Sequence, residues 1–166
     1  MPQIFATFAQ TMPGIPTEVG WLAPVILLVL ALAAAIDART GHVPDSLILG
    51  GIFFTTAAEG FSVDWPYAGY LLAKGLVAGF ALYMVNELYY RIQKRDAFGM
   101  GDAKWTVLAI SCFGLLPALF AWVIGACLAL VWMGAAKIAK HPIGQVHFAP
   151  FLWIGLCVGI YWLRLR

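Results

Sequence analysis

Charge is scarce in this chain. Asp, Glu, Lys and Arg together make up 11% of its 166 residues, against 63% hydrophobic residues and a mean hydropathy of +0.88, a balance that excludes an ordinary soluble domain. The formal net charge is only +2, and no basic block is long enough to suggest nucleic acid as a partner. Cysteine is sparse as well. Cys112, Cys127 and Cys157 all lie inside apolar runs, with no Cys-x-x-Cys and no His at ligand spacing, so they read as small buried hydrophobes rather than a metal site. No Lys or Arg precedes Arg39, so the N-terminus lacks the basic stretch of a cleavable signal peptide and the apolar run Trp21 to Ile36 is expected to stay in the membrane.

What remains is a succession of apolar runs, and they predict an all-α, polytopic integral membrane protein of about six transmembrane helices. Residues 1–20, with Pro2, Pro13, Gly14 and Pro16, read as an irregular or interfacial lead-in. The six-helix domain, 21–166, opens with Trp21 to Ile36. A polar exit loop, Asp37 to Asp45, leads to a second stretch, Ser46 to Phe61, rich in small residues. The third span, Tyr67 to Tyr90, has aromatic anchors at both ends. From Ala103 to Ala135 the apolar run is about twice what one crossing needs, and Gly114-Leu115-Leu116-Pro117 is a natural turn that splits it into spans four and five. The last span covers Phe148 to Leu163. Six crossings place Arg39, Arg91, Lys94, Arg95, Lys137 and Lys140 on one side, and the short loops at 59–66 and 114–117 contain no Lys or Arg. The positive-inside rule then sets that first side in the cytoplasm and both termini outside.

Against so little charge, two aspartates stand out. Asp37 directly follows the first apolar run, and Asp102 closes Gly99-Met100-Gly101-Asp102 before another. Carboxylates at the ends of membrane spans are costly to desolvate and point to function. The predicted topology puts both at one depth on the cytoplasmic side. Two carboxylates sharing a site cannot both ionise cheaply, so one keeps a proton and acts as general acid while the other activates water. Taken singly, Asp102 could be a helix N-cap and Asp37 a loop carboxylate paired with Arg39. The flanking Gly99 and Gly101 shift the balance, because glycine allows backbone conformations closed to other residues and a close approach by a substrate strand.

Gly99-Met100-Gly101-Asp102-Ala103-Lys104 resembles the GxGD-x-K segment of the GxGD membrane aspartyl proteases, and within them the prepilin peptidases. Asp37 and Arg39 followed by Val43-Pro44-Asp45 are similar to the family's Asp, basic loop and Ile-Pro-Asn. Phe148-Ala149-Pro150-Phe151 is a weaker echo of its Pro-Phe-Gly-Pro-Phe string. The chain departs from the pattern at Asp45, His147 and Ala149, and it has neither the length nor the paired cysteines of the larger members that also carry a methyltransferase activity. It resembles the short, peptidase-only form of Flp or Tad pilus systems. The resemblance implies an aspartic endopeptidase in a bacterial inner membrane, with Asp37 and Asp102 catalytic and its active site facing the cytoplasm. It implies type IV prepilin or pseudopilin substrates and the lipid bilayer as partners, and no cofactor, no metal and no methyltransferase activity. Gly99, Gly101, Lys104 and Arg39 would support the loop or bind substrate.

Other residues carry blander expectations. Lys104 could steady the dyad or simply snorkel to the interface. Lys74 sits well inside span three, toward the end away from the aspartates, and needs a partner or a groove. Glu87 and Arg91 are spaced as a helix-surface pair, and His42, His141 and His147 are scattered among loops without forming a metal site. Two rival functions are a small transporter and a non-catalytic membrane subunit of a pilus machine.

Overall fold

The computed structural model describes residues 20–94, 96, 98–140 and 146–164. The expected lead-in, His141 and Arg95 therefore lie outside the described residues, apart from Gly20. Six helices follow in order: α1 Leu22–Thr40, α2 Asp45–Ser62, α3 Trp65–Gln93, α4 Met100–Phe113, α5 Leu115–Ile138 and α6 Ala149–Arg164. Strands are absent among the described residues. Three helices, α1, α3 and α5, are long and apolar enough to cross a membrane by length and composition, and α6 is a shorter apolar helix. Large apolar side chains face outward, with Phe53 77% and Phe61 80% exposed, as a lipid-covered surface requires and a water-covered one does not.

The helix at the centre is the shortest. α4 has 14 residues, about 21 Å at 1.5 Å per residue, less than the ~30 Å hydrocarbon core. It is sheltered rather than lipid-facing: from Asp102 to Phe113 every residue except Lys104 is buried, and α4 packs against each of the other five helices. An apolar helix without a polar face is stable only when surrounded in this way. α3 comes close to it through Gly75 and Gly79, where a Cβ would lie 2.6 Å from Ser111 Oγ at position 75 and collide with Val107 Cγ2 at position 79. Small residues that let helix backbones approach are the usual device for helix packing in membranes.

The breaks between helices follow local chemistry. Gly114, with φ of +83°, divides α4 from α5, as the Gly-Leu-Leu-Pro turn predicts. The end of α1 differs from expectation. The helix does not stop at Ile36 but continues to Thr40, so Asp37 is in its last turn and not in a loop. The Thr40 hydroxyl donates to the Ile36 carbonyl at 2.9 Å, so the polar Thr side chain is satisfied within the last turn. Gly41, in the left-handed region at φ +69°, ends it and donates to the Asp37 carbonyl at 2.8 Å. The exit loop is therefore four residues, 41–44, because α2 already begins at Asp45.

Candidate active site

Three chain segments converge at one end of the bundle: the 41–44 loop between α1 and α2, the Gly99–Asp102 entry to α4, and residues 146–149 leading into α6. They enclose a cavity of about 180 Å³, lined by Asp37 and Asp102 together with Val43, Gly99, His147 and Phe148, among others. Both carboxylates are almost out of solvent, Asp37 at 7% and Asp102 at 6% exposure, yet both open onto this cavity and lie within electrostatic range of each other.

Each lies at a helix N-terminus. Asp102, in the first turn of α4, accepts the Gly99 N–H through Oδ2 at 3.2 Å. The Asp37 carboxylate lies beside the backbone N–H of Ala149, the first residue of α6. Free N–H groups and the positive end of the helix dipole stabilise negative charge at such positions. The aspartates are thus placed against the N-termini of different helices, α4 and α6.

The loop before Asp102 is fixed from α3. Asn86, a buried amide, donates through Nδ2 to Asp96 Oδ1 at 2.9 Å and accepts the Phe98 N–H through Oδ1 at 3.2 Å. One side chain therefore ties down both ends of the segment that delivers Gly99. Behind Asp102, Thr106 donates to the Asp102 carbonyl at 2.7 Å and accepts the Trp122 indole N–H at 2.9 Å. Trp122 also packs against Phe98 and Phe148, with ring centroids 5.3 Å away in both cases, joining the entry to α4 with the entry to α6.

The glycines act differently from expectation. Gly99 has φ −72° and ψ 145°, a backbone open to any residue, and Gly101 is helical. Neither occupies a glycine-only conformation. What position 101 requires is space, since a Cβ there would lie 2.8 Å from Val43 Cγ2.

Residues 24–134 match the type IV leader peptidase family. The chain belongs to this family. No curated protein and no solved structure matches it. The match makes the chain a membrane peptidase of the prepilin leader peptidase kind. It spans both aspartates and stops short of α6, so the Ala149 N–H beside Asp37 comes from outside the matched segment.

In this family member the remaining residues singled out in the sequence are placed unevenly. Gly99, Gly101 and Lys104 line the cavity. Lys104 donates to Asp45 Oδ1 at 2.7 Å, and this hydrogen bond, with the lysine charge, holds the exposed Asp45 carboxyl below its usual value. Arg39 is exposed and is not among the lining residues. His42 and His147 both line the cavity and lie within electrostatic range of Asp37, although the sequence shows them as isolated loop residues 105 positions apart. Among the described residues no group of three or more His, Cys, Asp or Glu is arranged to hold a metal. Asn86 and Trp122 escaped the sequence reading entirely. The only signal for Asn86 is that it is a lone amide within an apolar span.

Proposed function

We propose that this leader peptidase is an aspartic endopeptidase in which Asp37 and Asp102 act as a dyad on a water molecule. The observation that carries the reading is that two carboxylates from sequence-distant helices open onto one small cavity, each against a helix N-terminus. In such a pair the ionised carboxylate takes a proton from water as its oxygen attacks the scissile carbonyl carbon, and the protonated partner donates to the carbonyl oxygen. A tetrahedral gem-diol results. Its collapse breaks the C–N bond as the carboxyl that took the water proton gives it to the leaving nitrogen, which departs as an amine, while the other carboxylate takes a hydroxyl proton from the gem-diol and leaves a carboxylic acid product.

Type IV prepilins or pseudopilins are the proposed substrates, cut between a basic leader and an apolar helix. The cavity lies at the end of the bundle from which Arg39, Arg91, Lys94, Lys137 and Lys140 project near the helix ends, and the positive-inside rule supports placing that end in the cytoplasm, with both termini outside and a bacterial inner membrane as the setting. The polar surround of His42, Asp45 and Lys104 at the cavity suits a charged, water-exposed leader segment, while the apolar helix of the substrate would stay in lipid.

The test is a cleavage assay with the purified full chain in liposomes and a panel of prepilin-type substrates, with products identified by mass. A single cut at the leader–helix border is expected. Intact substrates across the panel, from a chain shown to be folded, would count against the reading.

A further inference from the structure

Lys74 is a cation with no ion-pair partner among the described residues. It lies in α3, flanking an outward-facing groove of about 410 Å³ whose walls include Tyr70, Ala73, Val77, Ala78 and Ala81. The two ion pairs among the described residues are Arg91 with Glu87 and Lys104 with Asp45, and the Lys74 ammonium instead rests over the Tyr70 ring, 4.7 Å from its centroid. An aromatic face stabilises a cation but does not neutralise it.

Helix geometry sets the depth of this charge. α3 has 29 residues, about 43 Å, so roughly 6 to 7 Å projects at each end of a ~30 Å hydrocarbon core if the helix is centred. Lys74 is nine residues beyond Trp65, about 14 Å along the axis, which puts its Cα some 7 Å below the boundary at that end. Helical side chains lean toward the helix N-terminus, and Tyr70 is one turn nearer that end. The ammonium therefore comes up to the edge of the hydrocarbon core, just beneath the lipid phosphates, with the alanine- and valine-lined groove running inward beneath it.

We propose that this groove binds one anionic phospholipid, its phosphate on Lys74 and one acyl chain along Ala73, Val77, Ala78 and Ala81. Charge complementarity selects an anionic lipid over a neutral one, since each Lys near a membrane surface favours anionic headgroups. The site is remote from the aspartate cavity and does not depend on the peptidase mechanism.

Native mass spectrometry of the full chain in neutral detergent, offered equal phosphatidylglycerol and phosphatidylcholine, tests the proposal. The wild type should retain phosphatidylglycerol preferentially, Lys74→Arg should keep that preference, and Lys74→Gln should lower the ratio about fivefold. Ala78→Phe, which fills the groove and leaves Lys74 in place, should lower retention of both lipids. On the wild type alone, a phosphatidylglycerol with a photoreactive acyl chain should label the 70–81 segment. An equal ratio for wild type and Lys74→Gln, labelling confined to other segments, or displacement of the lipid by an apolar peptide helix carrying one glutamate would overturn the proposal, the last assigning the groove to a protein partner.

Discussion

Gly101 and Val43 are in contact across the candidate active site, so closely that a Cβ at position 101 would sit 2.8 Å from Val43 Cγ2 and 2.9 Å from Val43 Cβ. The 41–44 loop therefore rests directly on the first turn of α4, and the spacing of Asp37 and Asp102 depends on that contact. Gly101→Ala is expected to push the two apart and cost about 1 to 3 kcal/mol by overpacking, seen as a lower thermal midpoint and a reduced cleavage rate. Val43→Ala in the same chain should restore both only in part, because it removes Cγ2 but keeps the Cβ 2.9 Å away. Gly99→Ala should be much milder, because its φ of −72° suits alanine and its Cβ would come no nearer than 3.4 Å to Asp102 Oδ2.

Asn86 is a positioning residue on the same logic. Asn86→Ala removes the acceptor for the Phe98 N–H and the donor to Asp96, and a buried group left without its partner costs about 1 to 3 kcal/mol. Cleavage should slow through kcat with little change in KM, since the loop that carries Gly99 and Asp102 loosens while the substrate surface is untouched. A fall in KM affinity alone, with kcat preserved, would remove Asn86 from this role.

Much of the layout was legible because membrane hydropathy is a local property. Six helices were expected and six are described, and the Gly114 break divides α4 from α5 where the Gly-Leu-Leu-Pro turn predicts. Asp37 and Asp102 could be paired because both interrupt apolar sequence at span ends, and the cavity contains both. What was not legible came from tertiary contact. Residues 38–40, between Asp37 and Gly41, look like part of a loop, but the helix runs through them and ends only at the left-handed Gly41. The approach of His147 and Ala149 to Asp37 spans more than a hundred residues of sequence, and the spatial need for Gly101 exists only once Val43 is folded against it.

Lys104 and Asp45 should behave as a pair. Lys104→Met and Asp45→Asn are expected to change cleavage by similar amounts, with the double variant no worse than either single one, as coupled partners do. The lysine lowers the Asp45 carboxyl from 3.8. A depressed folded value contributes stability that is present above 3.8 and lost as pH falls through the folded value. The contribution is small and salt-screened because Asp45 is exposed. Carboxyl titration by NMR in micelles should show the Asp45 midpoint below 3.8 in the wild type and returning toward it in Lys104→Met.

Glu59 supplies an internal control. It is a buried carboxyl at 2% exposure, and its Oε2 has no hydrogen-bond partner among the described residues. It lies fourteen residues beyond Asp45 along α2, about 21 Å away from the cavity end. Glu59→Gln keeps the shape and removes the acid, so cleavage should remain within about twofold of wild type, well under the tenfold that 1.4 kcal/mol represents. A loss comparable to that of an active-site aspartate would mean that burial of a carboxyl, rather than its place in the cavity, governs activity.

The most direct measurement is single-turnover cleavage of one prepilin-type substrate by wild type, Asp37→Asn and Asp102→Asn, with each variant shown to be folded by its thermal midpoint. Removing either member of an acid–base pair that acts as a unit should abolish cleavage about as completely as removing both. Cleavage by the wild type and by neither variant is the expected result. Cleavage retained by a folded Asp37→Asn or Asp102→Asn chain would contradict the two-aspartate mechanism.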